Sequence, residues 1–264
     1  MDASMIERYP VDGATRAPHG TTNAYLVDGQ ARVLVDPAGR TAALDAAVSR
    51  GVDHIVVTHA HPDHVGAVDA YAAATDATVW AHAAFTARFE RETGVAPDRV
   101  FRPGDAIGDT ALTVTDTPGH APDHVAVLAT VDGECNAISG DLVFADSSVF
   151  VGAVDGDMRA YLASLRRLAA GAPARLQPGH GPTIEQPADR LHALYAHRRD
   201  RERRVLDAVA AGCETVDAIL DAAYDKDLAG VRDLAGQTVR AHLDKLAREQ
   251  RIDWNGSRAT HQPA

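Results

Sequence analysis

The sequence is short of lysine: of its 26 basic side chains only Lys226 and Lys245 are lysines, set against 37 carboxylates. So acidic a chain is a poor candidate for strong nucleic-acid binding, which draws on Lys and Arg contacts to phosphates. Cysteine is almost missing. Cys135 and Cys213 are too few for a disulfide framework or a thiolate metal cage. Aromatic residues make up 5% of the chain, which leaves few rings on which bases could stack. No apolar run approaches the roughly 20 residues of a membrane span. The opening "MDASMIERYP" has no basic segment leading into an apolar one, so no export signal is expected and the cytoplasm is the expected compartment. No GxSxG elbow and no GxxxxGK[ST] loop occurs, which removes two hydrolase and nucleotide signatures.

What is present divides into two textures. Up to about residue 187, short apolar runs alternate with Gly, Pro and Asp. "NAYLV" (23–27) and "ARVLVD" (31–36), split by Asp28-Gly29, predict a hairpin. "HIVVTH", "ATVWAH", "ALTVTDTPGH", "HVAVLATV" and "NAISGD" predict strands, while "TAALDAAVSRG", "HVGAVDAYAAAT", "HAAFTARFERETG" and "MRAYLASLRRLAAG" predict helices. Strands mixed with helices imply a layered α/β (α+β) architecture. From 188 to 264 the pattern predicts helices alone: "ADRLHALYAHRRDRERRVLDAVAAG", "TVDAILDAAY" and "AGQTVRAHLDKLAREQRI". Two domains are therefore expected, 1–187 and 188–264. The Asp-rich, lysine-poor balance resembles that of halophilic cytoplasmic proteins, in which salt screens self-repulsion; a codon bias toward Asp, Ala and Arg gives the same composition.

The chemistry is concentrated in "VVTHAHPDHVGA" (56–67), where His59, His61, Asp63 and His64 occupy six positions after an apolar run. One histidine beside a strand is usually a satisfied polar residue, and Asp63 alone reads equally well as a helix N-cap. Four such residues together call for a cation. Three more candidates lie at strand-to-loop junctions beside glycines: His120 in "DTPGHAPDH", Asp141 in "AISGDLVF" and His180 in "LQPGHGP". Imidazole and carboxylate donors suit Zn²⁺, with Fe and Mn as alternatives, and seven ligands are too many for one tetrahedral ion and about right for two.

This order of residues, His-x-His-x-Asp-His followed by His, Asp and His, resembles the metallo-β-lactamase superfamily. The resemblance implies an αββα sandwich with the metals at one edge. It implies that His59, His61 and His120 hold one ion, that Asp63, His64 and His180 hold the other, and that Asp141 bridges them. The expected reaction is hydrolysis of an ester, thioester or phosphodiester by a hydroxide shared between two zinc ions, with Asp63 orienting the nucleophile. A histidine at position 61, where the flavodiiron branch has Glu, argues against redox chemistry. An Asp at 141 argues against true β-lactamase activity. The interval from Asp141 to His180 has no room for the insertion of the β-CASP ribonucleases.

"YLASLRRL", "PGHGP", "HRRDRERRVLDAV" and "TVRAHLDKLAREQRI" resemble the β-lactamase-like protein 2 group, whose C-terminal part is a small winged-helix-like domain. That group includes an endoribonuclease acting on single-stranded RNA. Glyoxalase II-like thioesterases share the seven ligands, and a mononuclear iron persulfide dioxygenase shares much of the motif, so these remain alternatives. In the basic run, His197 and Arg198 are the candidates for a substrate phosphate or carboxylate, with Tyr161 and Ser147 or Ser148 beside the cleft. Ion pairing along one solvated helix face explains the same run equally well, and core packing explains Tyr161 better. The tail is expected to form an intramolecular lid or a homodimer contact.

Overall fold

The computed structural model describes residues 5–13, 15–225 and 227–261. Two sheets face each other. The first, in spatial order, comprises β1 (Met5–Asp12), β2 (Thr21–Asp28), β3 (Val33–Val35), β4 (His54–Val56), β5 (Thr78–His82) and β6 (Arg99–Phe101). The second runs β10 (Arg175–Pro178), β9 (Glu134–Gly140), β8 (Val125–Val131) and β7 (Thr113–Asp116).

Alternation along β2 shows how the layers arise. Successive strand side chains point to opposite faces. Tyr25 and Val27 enter the core between the sheets with Val56, Phe101, Val127 and Ile138. Ala24 and Leu26 face the other way, onto α1 (Ala42–Val48), α3 (Val68–Ala74) and α4 (Thr86–Thr93), through Leu44, Tyr71 and Phe89. On the far side, Leu162, Leu165 and Leu168 of α5 (Met158–Ala170) cover Ala126, Ala137 and Leu176 of the second sheet. The result is an αββα sandwich. The predicted hairpin is present, with Tyr25 opposite Val35.

The segment predicted as one helix from His64 is two: α2 (Pro62–Val65) and α3, interrupted at Gly66 and Ala67. A Cβ at Gly66 would stand 2.4 Å from the Ala38 carbonyl oxygen, so the backbones touch where the helix breaks.

The expected boundary at 187 falls on the first residue of α6 (Pro187–Ala210). Leu191 and Leu194 of this helix pack into the second-sheet cluster, while Val205 and Val209 pack with α7 (Val216–Ala223) and α8 (Arg232–Arg248). The expectation of helices alone beyond 187 is corrected: β11 (Ile252–Trp254) pairs antiparallel with β12 (Ala259–His261). The helix read as reaching Ile252 ends at Arg248, and Gln250 adopts φ 57°. Nothing in "REQRI" breaks a helical pattern; Ile252 is drawn instead into the core shared with Val239 and Leu243.

Candidate metal centre

All seven predicted donors meet at one edge of the sandwich, five from loops that follow strands and two, Asp63 and His64, from a short helix. His59 and His61 follow β4, and Pro62 opens the short helix that carries Asp63 and His64. His120 follows β7, Asp141 follows β9, and His180 follows β10. Two glycines make the approach feasible. A Cβ at Gly119 would lie 2.3 Å from the Tyr161 Cα, and one at Gly179 would lie 2.4 Å from Asp141 Oδ1.

Each histidine is held by one ring nitrogen, which fixes what the other can do. The Thr58 hydroxyl donates to Asp36 Oδ2 at 2.7 Å, so its oxygen accepts from His59 Nδ1 at 3.1 Å. His61 Nε2 donates to Asp155 Oδ2 at 2.7 Å, and His120 Nδ1 donates to the Phe150 carbonyl at 2.7 Å. His64 Nδ1 lies 2.9 Å from Asp36 Oδ2, and His180 Nδ1 lies 2.7 Å from the Thr21 carbonyl. With those protons committed, the opposite nitrogens present lone pairs to the centre.

The lone pairs are crowded. His61 Nδ1 is 3.1 Å from His59 Nε2 and 2.9 Å from His120 Nε2. Neutral imidazoles repel in that arrangement, whereas nitrogens bound about 2.0–2.1 Å from one tetrahedral cation stand about this far apart. The other half of the site shows the same need. His64 Nε2, Asp141 Oδ1 and His180 Nε2 are buried without a hydrogen-bond partner among the described residues. Asp141 Oδ2 lies 3.6 Å from His120 Nε2 and 3.4 Å from His180 Nε2, between the two groups. Asp63 Oδ2 is 3.6 Å from His180 Nε2. Three sets have donor atoms close enough to share an ion: His59, His61 and His120; His59, His64 and Asp141; and Asp63, His64 and His180. The donors therefore fit divalent metal.

The titration of these groups follows the same crowding. Burial, then the neighbouring His64, His61 and His120, lower the pKa of His59 well below the usual imidazole range. Burial lowers His120 as well. Burial also opposes charge on His64, but Asp141 and Asp36 overcome it and raise its pKa well above the ordinary value. Asp141 is correspondingly lowered: burial works against its charge, and His64 and His180 prevail.

Sequence reasoning missed the residues that hold the ligands. Asp36 ends a buried strand in "VLVDP", a position where an unpaired carboxylate would be costly. His124 accepts the Asp141 amide through Nε2 at 2.9 Å and donates to Thr117 Oγ1 at 2.8 Å; burial pushes its pKa down to about 3. Arg88 of α4 forks onto Asp155 at 2.8 and 2.7 Å and pairs with Asp123, which accepts the Ala60 amide at 2.8 Å.

A cavity of about 610 Å³ opens from His61, Asp63, His120 and Asp141. Phe144, Val149 and Phe150 line it from the sandwich, and His197, Arg198, Arg201 and Leu234 line it from the helical tail. The tail therefore roofs the metal centre within one chain. Ser148 borders the cavity and Ser147 does not. Tyr161 does not reach it either. Its hydroxyl is tied to the Leu142 carbonyl at 2.8 Å, and its ring backs the guanidinium of Arg198.

Residues 17–180 match the Metallo-beta-lactamase superfamily. The chain belongs to that superfamily. A hydroxyacylglutathione hydrolase of Acidiphilium cryptum is 36% identical over 213 residues, 77% of this chain and 80% of the relative. A beta-lactamase-like protein 2 homolog of Drosophila melanogaster is 29% identical over 251 residues, 88% and 84% of the two chains. A metallo-beta-lactamase family protein of Thermus thermophilus superposes over 97% of this chain and 98% of its own, with TM-score 0.75 and 24% identity, so the fold likeness includes the tail. TTHA1623, solved in a di-iron-bound form, covers 69% of this chain and 96% of its own, with TM-score 0.54 and 32% identity. As a metallo-β-lactamase superfamily member, the protein is a metal-dependent hydrolase. Among the described residues no helix is long and apolar enough to cross a membrane.

Proposed function

We propose that this chain is a dinuclear zinc hydrolase of small-molecule esters or thioesters. His59, His61 and His120 would hold one ion, Asp63, His64 and His180 would hold the other, and Asp141 would lie within reach of both. The observation that carries the reading is the set of five imidazoles whose outer nitrogens are all engaged while their inner nitrogens face one another. Nitrogen and carboxylate donors in groups of three to four suit zinc, although the di-iron form of TTHA1623 makes iron the natural competitor. When bound, the ions acidify the attacking water and polarise the scissile carbonyl.

The chain's own residues do the rest. Asp63 Oδ2, part-exposed toward the cavity, accepts a hydrogen bond from the attacking water and sets its line of approach. Asp155 and the Phe150 carbonyl lock His61 and His120 in the rotamers that point inward. The cavity favours a small substrate. At about 610 Å³, with Phe144, Val149, Phe150 and Leu234 among its walls, it has the size of a small-ligand pocket. The similarity to a hydroxyacylglutathione hydrolase and to a thioesterase of Emericella nidulans points the same way.

Metal quantification with parallel assays on p-nitrophenyl esters, lactoyl thioesters, bis-p-nitrophenyl phosphate and single-stranded RNA tests this. Two zinc equivalents, with ester or thioester turnover abolished by chelation and by Asp63→Ala, are expected. One iron with sulfur-dependent oxygen uptake, or turnover confined to RNA, would overturn it.

A further inference from the structure

Among the described residues about half of the arginines pair with carboxylates. Along α6 itself, Arg199 pairs with Glu202 at 2.7 Å, and Arg203 and Arg204 pair with Asp200. Arg190, Arg198 and Arg201 instead donate to backbone carbonyls, and of these three Arg198 and Arg201 line the cavity. The Arg198 guanidinium donates to the neutral carbonyl of Val149, lies 5.7 Å over the Tyr161 ring, and leaves its buried Nε without a partner among the described residues. Arg201 donates to the Ala223 carbonyl and stacks 3.4 Å over the Tyr224 ring. Burial, with Arg204 and Arg198 nearby, outweighs Tyr224 and Asp200 and lowers its pKa. Asp227 also borders the cavity, but its carboxylate caps the Ala229 amide at 2.9 Å.

A guanidinium that is only 4% exposed and has no ion-pair partner among the described residues is costly, and a chain with 37 acidic residues had many ways to supply one. Arg198 and Arg201 are three positions apart on one helix, so their side chains project from the same face. Both line the cavity that ends at His61, Asp63 and Asp141. Aromatic backing holds each fork in place and leaves its edge to bind an oxyanion.

We propose that Arg198 and Arg201 form a subsite for an anionic group, a carboxylate or phosphate, at the end of the substrate away from its scissile bond. Phe150, Leu228 and Val231 lie along the same cavity and accept an apolar spacer between the two ends. The substrate is thus an ester or thioester with one acidic end. This rests on the hydrolase reading above.

The test compares p-nitrophenyl butyrate with mono-p-nitrophenyl glutarate on the zinc-loaded protein, and titrates free glutarate calorimetrically. The wild type is expected to prefer the glutarate ester in kcat/KM by about tenfold or more, the worth of a hydrogen bond to a charged group. Arg201→Gln should collapse that preference and weaken glutarate binding by a similar factor. Arg198→Lys, which keeps charge but loses the fork, should lower it in part. Equal use of both esters by the wild type, an equal loss on both in Arg201→Gln, or glutarate binding that ignores Arg201→Gln would overturn the subsite. If neither ester is cleaved, the matching butyryl and glutaryl thioesters are assayed; failure on those as well overturns the hydrolase reading, and the calorimetry decides the subsite on its own.

Discussion

Asp155 Oδ2 sits 2.7 Å from His61 Nε2, and the same carboxylate is forked by Arg88, so a helix of the first sheet's outer layer controls the direction in which a metal ligand points. Burial opposes the Asp155 charge, but His61 and Arg88 hold its pKa well below the carboxylate range. On the proposed dinuclear zinc reading, Asp155→Ala is expected to weaken one of the two equivalents by about 10–100-fold while sparing the other, as read by competition with a chromophoric chelator. Uniform weakening of both would refute this division.

His124 belongs to none of the donor sets, yet it accepts the amide of Asp141, the carboxylate between them. His124→Leu leaves that buried N–H unsatisfied, at a cost of about 1–3 kcal/mol. Calorimetric melting should show the loss, and both zinc equivalents should weaken together. An unchanged chelator titration would mean that Asp141 is held by other contacts.

How much of this could be read in advance depended on whether a residue's role is local. The seven donors were legible because four crowd into six positions, the other three sit beside glycines after strands, and their types together suit a cation. Their holders were not, because Asp155 lies 94 positions from His61 and Asp36 lies 28 from His64. Nothing in "AVDGD" marks one aspartate as different from its neighbour. The β2–β3 hairpin was legible from alternation and its Asp-Gly turn. The β11–β12 ribbon was not, since three-residue strands carry too little period to compete with the helical pattern before them.

Gly119→Ala would set a methyl group against the backbone of α5 at a φ of 140°, which few L-residues adopt. Overpacking of this kind costs about 1–3 kcal/mol, or roughly 2–10 °C in melting temperature for a chain of this size. The same change shifts His120, so zinc affinity should fall too. A melt within 1 °C of wild type, by the same order-of-magnitude reckoning, would show that α5 yields freely.

Within the tail, burial presses the pKa of His242 from 6.5 to about 4, with Glu202 resisting and Arg198 and Lys245 assisting. The unfolded chain takes up this proton near pH 6.5 and the folded chain only near pH 4. Stability from this ring is therefore full above the first value and falls through that window on acidification, by on the order of 3 kcal/mol. Melting temperatures from pH 7 to 4 should decline less steeply in His242→Leu. Parallel profiles would show that the ring does not titrate in this range.

Arg190 donates to the carbonyls of Phe144 and Ser147, and Arg198 donates to that of Val149, one residue before the carbonyl that steadies His120. Recombination between homologues at the start of α6 would consequently mismatch clasp and loop. Chimeras should retain chemistry only when residues 144–150 travel together with the helix that grips them, which makes the pair, not either half, the unit that selection can exchange.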